Sequence, residues 1–327
     1  MMISYRKFNN DDKILIYNCY NQLVTDFYKK LTFEEFNYNL FLHSEFDENG
    51  VYVAEKNNEV IGFITCFVRK IDLNDLDKPG YISTIVVGND YQKQGIGTKL
   101  ISLAEEYLKS LNRKRIVFGY LSTQNWPWYI PNTDRHDHNG APGVRINSEL
   151  YFYLINHGFN VIDEQDAFHL DLAEFETPKR VLDDLAKLEK EGITIELYDA
   201  SKHYGLDQFY IDINSEPFER VIRNNLKFDN PYPFAVISDH GKIAGWTGAF
   251  YTEPSGRAHF DGIVIAPYIR GKGLGRALFA YLAQYSKGNG SIFMTFFTGR
   301  YNFARYIYLS LGFKIIQSFA IMEKEIK

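Results

Sequence analysis

The stretch Arg270-Gly271-Lys272-Gly273-Leu274-Gly275 lies between a strand-like run, Ile263-Val264-Ile265, and a helix-like run that opens with Arg276-Ala277-Leu278-Phe279. A second stretch of the same kind, Gln92-Lys93-Gln94-Gly95-Ile96-Gly97, stands between Ile85-Val86-Val87 and Thr98-Lys99-Leu100-Ile101. Glycine has no Cβ to stop a ligand approaching the chain, and the first N–H groups of a helix have no intrahelical partner. The helix dipole adds partial positive charge at the same end, so each stretch reads as a turn that cradles a phosphate. Two copies in matching contexts predict two related halves.

Working outward from each turn, the order of elements repeats. The first half reads as a strand over 3–8, helices over 10–30 and 32–42, and a hairpin turning at Lys56-Asn57-Asn58-Glu59. A strand over 81–87 then leads into the glycine turn, a helix over 95–111 and a strand over 115–121. Residues 122–147, rich in Trp, Pro, Gly and His, are too long for a simple connection and read as a functional or packing loop. A short helix over 148–157 ends at Gly158-Phe159, and strands over 161–172 complete the half. Thr177-Pro178 starts a linker helix with an apolar stripe of Val181, Leu182, Leu185 and Leu188, stopped by Gly192. The second half repeats the series. It has a strand over 193–198, a helix over 204–225, a hairpin about His240-Gly241 and a strand over 257–265. After its glycine turn come a helix over 274–285, a strand over 291–297 and a helix over 301–311 ending at Gly312-Phe313. The expected division is therefore a domain over 1–172, a linker over 173–192 and a domain over 193–327.

At 327 residues the chain has material for two domains with sizeable cores. A net charge of −5 offers no electrostatic case for nucleic acid or an anionic membrane, and no apolar run reaches membrane-spanning length. The two cysteines, Cys19 and Cys66, have no metal-type spacing, which points to a cytoplasmic chain with reduced thiols.

Three phosphate motifs compete for the glycine turns. Neither turn supplies the G-x-x-x-x-G-K-[ST] of a P-loop, and the dinucleotide pattern G-x-G-x-x-G fails where Arg276 takes the third place. Both turns fit [RQ]-x-x-G-x-[GA] between a strand and a helix. That pattern, with the order of elements around it, resembles the GNAT superfamily of acyl-CoA N-acyltransferases. The likeness covers nearly the whole chain as two domains in tandem, a layout similar to that of tandem acetyltransferases such as mycothiol synthase. It implies an α/β (α+β) fold, each domain a mostly antiparallel mixed sheet splayed at its fourth strand and flanked by helices. It implies acetyl-CoA as cofactor, its pyrophosphate on the turns Arg270–Arg276 and Gln92–Thr98, its pantetheine arm along Ile263, Val264, Ile265 and Ile85, Val86, Val87. Asn302 resembles the helix-opening Asn that touches the arm in this family.

The resemblance further implies direct transfer of acetyl to a primary amine in a ternary complex, with a small-molecule or peptide acceptor and a monomeric or homodimeric chain. Family members take their base from positions eleven and nine before the first motif residue, which here are His259 and Asp261. The same places in the first half hold Tyr81 and Ser83, poor bases at neutral pH, so that half is expected to be catalytically degenerate. The family acid stands four residues before Gly-Phe, at Tyr308, where the first half has Leu154 with Tyr153 one step off. The rival readings are structural: His259 and Asp261 as a pair that orders a strand entrance, Tyr308 as a ring packed under the cofactor. His136-Asp137-His138 is a weak metal signal without a fixed fourth ligand, and a loop ordered by its own contacts or covering a cleft explains it better, so no metal is expected. Two other functions compete. One is an acyl-CoA sensor or scaffold without turnover. The other is aminoacyl transfer from charged tRNA, against which the mild acidity and the two intact turns argue.

Overall fold

Asn57 and Asn58 both take left-handed backbone, with φ of 54° and 64°. This is the two-residue turn whose twist matches that of paired strands, so Val51–Lys56 and Glu59–Phe67 form an antiparallel hairpin. The hairpin is the centre of the first of two compact units seen in a computed structural model of the chain. The structure describes residues 2–23, 27–119 and 126–326. One unit is Met1–Ala167 together with Ile316–Lys327, and the other is Phe168–Ile315.

In the first unit the strands run in the order Ser4–Lys7, Val51–Lys56, Glu59–Phe67, Gly80–Val87 and Arg115–Phe118, followed by the C-terminal strand Lys314–Glu325. Neighbours are antiparallel except the fourth and fifth, which are parallel. Those two pair only through Gly80, Tyr81 and Ile82. Beyond Ile82 they separate, and among the described residues the edge from Ser83 to Val87 has no partner on the fifth strand. The helix Ile96–Ser110 buries Ile96, Leu100, Ile101, Ala104 and Leu108 on one sheet face. On the other face Ile16 of Lys13–Leu23 and Phe36 of Phe33–Asn39 pack with Val53, Phe63 and Trp126.

In the second unit Ile193–Leu197, Phe234–Asp239, Lys242–Gly248 and Gly262–Ile265 form an antiparallel sheet covered by the helix Leu274–Gly288. Arg257 bridges Phe293, the first residue of the strand Phe293–Gly299, in parallel.

Several boundaries differ from those expected. The last strand completes the first unit: Met322 and Glu323 pair with Phe118 and Val117, and Ala320 and Met322 are buried in that unit's core. The four residues Phe319–Met322 are all buried, so no polar face marks which sheet edge they join. The linker helix, Lys179–Lys190, sends Val181 and Leu188 into the core of the second unit, and Leu182 is 53% exposed. Its N-cap is Pro178, with no side-chain cap hydrogen bond. The helix expected over 204–225 is two, Leu206–Ile213 and Glu216–Asn225, broken where Asn214 turns left-handed at φ 46°. The strand expected over 257–265 is also interrupted. Ala258–His259 pairs with Tyr251–Thr252, while Gly262–Ile265 pairs with Lys242–Gly248.

The long loop of the first unit is packed in part. Trp128–Tyr129 pairs with Asp137–His138, and Val144–Arg145 pairs with Phe319–Ala320. Trp128 is fully buried. The end of the strand expected over 115–121 and the start of this loop lie outside the described residues. No helix among the described residues is long and apolar enough to cross a membrane.

Candidate active site

The two glycine turns share one backbone geometry. Lys93 and Gly95 have φ of 59° and 81°, and their counterparts Gly271 and Gly273 have 88° and 79°. Gly95 and Gly273 are the N-caps of the helices Ile96–Ser110 and Leu274–Gly288, and neither helix start carries a side-chain cap. Among the described residues, the N–H groups of 93–98 and of 271–275 donate to nothing. A Cβ added to Gly95 or Gly271 would meet no atom within 4 Å, so both turns face open space. Uncapped amides, positive φ and an open approach together suit an anion with several oxygens.

The first motif side chain does the same work in both copies. Arg270 Nε donates to the Ile265 carbonyl at 3.0 Å, and Gln92 Nε2 donates to the Val87 carbonyl at 3.1 Å. Each ties the turn to the end of its fourth strand, a role in which glutamine and arginine are equivalent although their charge differs. Lys272 is held by Glu191 at 2.9 Å. The last glycine of each turn allows a close helix approach. A Cβ on Gly97 would come within 3.1 Å of Tyr153 Oη, and one on Gly275 within 3.1 Å of Ile307 Cδ1. Tyr153 thus stands where Ile307 does, and Leu154 where Tyr308 does.

In the second unit the structure brings His259 and Asp261 together and adds a third group. His259 Nε2 donates to Asp261 Oδ1 at 3.2 Å, and Nδ1 donates to Glu253 Oε1 at 3.2 Å. Glu253 is ion-paired to Arg257, and Tyr251 stacks on the imidazole with centroids 4.1 Å apart. Asp261 also accepts from the Ala249 N–H at 3.2 Å. Burial opposes charge on His259, but the hydrogen bonds to Asp261 and Glu253 outweigh it and raise its pKa to about 9. Burial acts against charge on Asp261 and Glu253 as well, and the donors around them still hold both carboxyls below their ordinary values. At neutral pH the ring is therefore an imidazolium that donates twice, and it must lose a proton before it can accept one. Glu253 was not singled out from sequence. Its signal is the turn Pro254-Ser255-Gly256, which sets Glu253 opposite Arg257 and close to His259.

Tyr308 lies in a nest of rings, with centroids of Phe296, Phe279 and Phe168 at 4.5, 4.8 and 5.4 Å. Burial in that nest pushes its phenol up to about 12. Its hydroxyl makes no hydrogen bond among the described residues. Asn302 accepts from the Ala304 N–H at 3.0 Å, so its side-chain carbonyl is committed to the helix start.

The corresponding places in the first unit are occupied differently. Tyr81 is buried against Phe67. Ser83 is the extra residue of a β-bulge opposite Thr65 and Cys66, and its hydroxyl lies 2.5 Å from that of Thr65. In the opening between the fourth and fifth strands lies a cavity of about 300 Å³, lined by Ser83–Val87 together with Gln92, Phe118 and Trp126. His136, Asp137 and His138 are all buried in this unit. Asp137 pairs with Lys29 at 2.7 Å and His138 stacks on Trp128. Among the described residues no group of three or more His, Cys, Asp or Glu is placed to hold a metal ion.

Comparison with known proteins agrees with this architecture. The model of the acetyltransferase (GNAT) family matches twice, over residues 16–127 and 197–313. An uncharacterised N-acetyltransferase of Archaeoglobus fulgidus is 32% identical over 99 residues, which are 30% of this chain and 67% of that one. An uncharacterised N-acetyltransferase of Methanocaldococcus jannaschii is 31% identical over 34% of this chain, and the match spans about half of the relative, 48% of its length. Among solved structures, a GCN5-related N-acetyltransferase from Sphaerobacter thermophilus superposes with a TM-score of 0.61 at 16% identity, covering 99% of this chain and 96% of that one. A tandem GNAT protein from the clavulanic acid biosynthesis pathway gives 0.59 at 12% identity, over 100% and 99%. With two matched domains, each carrying a glycine turn at the start of its helix, the chain belongs to the GNAT family of acetyltransferases, with two domains of that family in tandem.

Proposed function

We propose that the chain transfers acetyl from acetyl-CoA to a primary amine by direct attack, with the chemistry in the second unit. The observation that carries this reading is the Glu253–His259–Asp261 cluster, set at the entrance to the fourth strand of a unit whose anion turn is open. Two carboxylates about one cation attract an ammonium. An arriving ammonium adds positive charge beside His259, which favours loss of the imidazolium proton. Neutral His259, oriented by Asp261, then takes a proton from the ammonium and frees the nucleophile. Acetyl-CoA, when bound, supplies the acyl group as a thioester. Backbone N–H groups near Ile263–Ile265 are the donors toward its carbonyl oxygen, and the amides of 271–275 hold the pyrophosphate. Tyr308 donates a proton to the thiolate as the C–S bond breaks, and the second proton, lost from nitrogen as the amide forms, restores the phenol. The apolar surroundings that raise the phenol also disfavour the thiolate, so the proton moves between groups shifted in the same direction.

The test is release of free thiol from acetyl-CoA across a panel of amines. Tyr308→Phe is expected to lower kcat by roughly 100-fold, with acetyl-CoA affinity within about twofold of the unmodified chain. Unchanged turnover removes Tyr308 from the mechanism. The second reading, an acyl-CoA sensor without turnover, is favoured by the first unit, which has an open turn and carries Tyr81, Ser83 and Leu154 at the places of His259, Asp261 and Tyr308. Tight cofactor binding with no thiol release from any amine would assign the whole chain to that reading.

A further inference from the structure

We infer that the first unit is a second acyl-CoA site, one that holds its ligand without turnover and selects an aromatic acyl group. The inference rests on the reading above in one respect, that the anion turns hold coenzyme A. The cavity of about 300 Å³ runs beside the strand edge that is unpaired among the described residues, from Gln92 and Val87, next to the turn, to Thr84 and Trp126. From Val87 back to Thr84 the strand covers about 10 Å at roughly 3.3 Å per residue. An extended arm anchored at the turn and lying along this edge brings its acyl end to the point where the fourth and fifth strands meet. That point is ringed by aromatic side chains. Phe118 is the partner of Ile82 in the last pair before the strands part. Trp126 is fixed by its Nε1 donating to Thr84 Oγ1 at 2.9 Å, and Tyr20 packs on Trp126 with centroids 4.8 Å apart. Tyr28 completes the wall.

An acetyl group is too small to touch four rings, whereas an aromatic acyl group meets them at the ring spacings that aromatic pairs favour. The wall also has an unmet polar group. Tyr20 is 6% exposed, and its buried hydroxyl has no hydrogen-bond partner among the described residues. Transfer is not supported here. Ser83 is occupied by Thr65, Tyr81 is buried, Leu154 stands in the place of Tyr308, and the carboxylate among the lining residues, Glu149, lies on the exposed first turn of its helix.

The test uses the full chain carrying Arg270→Glu and Gly273→Asp, which set negative charge in the second turn and confine binding to the first. Coenzyme A, acetyl-CoA and benzoyl-CoA are titrated by calorimetry, with Trp126 fluorescence as a second readout. Benzoyl-CoA is expected to bind once per chain and about tenfold more tightly than acetyl-CoA, a difference of about 1.4 kcal/mol. Adding Leu150→Trp, at a half-buried lining position, is expected to erase that preference while coenzyme A still binds. Equal affinity for the two thioesters overturns the acyl preference and leaves the coenzyme A reading standing. Binding to the unmodified chain but not to the double variant overturns the second site. Failure of all three ligands on the unmodified chain overturns the proposed function as well.

Discussion

The charge on His259 controls two measurable quantities. Its folded pKa of about 9 lies above the ordinary 6.5, so its contribution to stability is complete below about 6.5 and is lost as pH rises through 9. Thermal unfolding followed from pH 7 to 10 is expected to show a fall in Tm that His259→Gln removes. A fall of equal size in the variant would mean that other groups dominate. The same proton must leave before catalysis, so kcat/KM for an amine should rise with pH up to about 9 and then level. A profile flat from pH 6 to 9 would exclude His259 as base. Glu253 and Asp261, held low, have the opposite sign: their contribution is present above their ordinary values and is lost as pH falls through the lowered ones. Two glycines give a second contrast. Gly273→Ala meets no steric obstacle but must hold φ at 79°, a cost of about 1–2 kcal/mol. Gly288→Ala, at the last position of the same helix with open space around it, is expected to be neutral or stabilising by about 0.5–1 kcal/mol. Denaturant titration of both variants reads the difference.

At the scale of single elements, helix starts divide into two kinds. Thr32 accepts from the Glu35 N–H and Glu35 accepts from the Thr32 N–H, a reciprocal capping box that closes the start of Phe33–Asn39. Thr32→Ala is expected to cost about 1 kcal/mol, measured as a shift in the urea midpoint without a change in slope. The two glycine turns, by contrast, carry glycine where a capping side chain would otherwise sit. An Asp or Ser there would satisfy the amides that the proposed function leaves to the cofactor's pyrophosphate. The broken strand of the second unit follows the same logic. Between Ala258–His259 and Gly262–Ile265, Asp261 reaches both His259 and the Ala249 N–H.

For the whole molecule, the last strand links chain length to folding of the first unit. A chain ending at Ile315 keeps every element of the second unit and removes the strand paired with Arg115–Phe118. Trp126 and Trp128 report on the first unit and Trp246 on the second. Truncation is expected to abolish the cooperative transition seen by the first two while that seen by Trp246 persists, each followed in a chain whose other tryptophans are changed to Phe. Survival of both transitions would show that the strand is dispensable.

The duplication and the two glycine turns were legible in the sequence, because each rests on local spacing, whereas His259, Asp261 and Tyr308 were picked out through the resemblance to the family, by their distances from the motif and from Gly312-Phe313. Glycines followed by a helical run state their own geometry. Strand alternation and a short Asn-Asn turn do the same for the hairpin. What only the tertiary structure decided depends on contacts between residues far apart in the chain. Nothing local tells Phe319–Met322 which sheet to join, since an all-buried run fits any covered edge. No spacing rule shows that Gln92 and Arg270 make the same bond to a strand end, or that Tyr20, Phe118 and Trp126 meet at one cavity. The charge of His259 is partly of this second kind, because Glu253 across a hairpin adds a hydrogen bond to the one made with Asp261, against the burial of the ring.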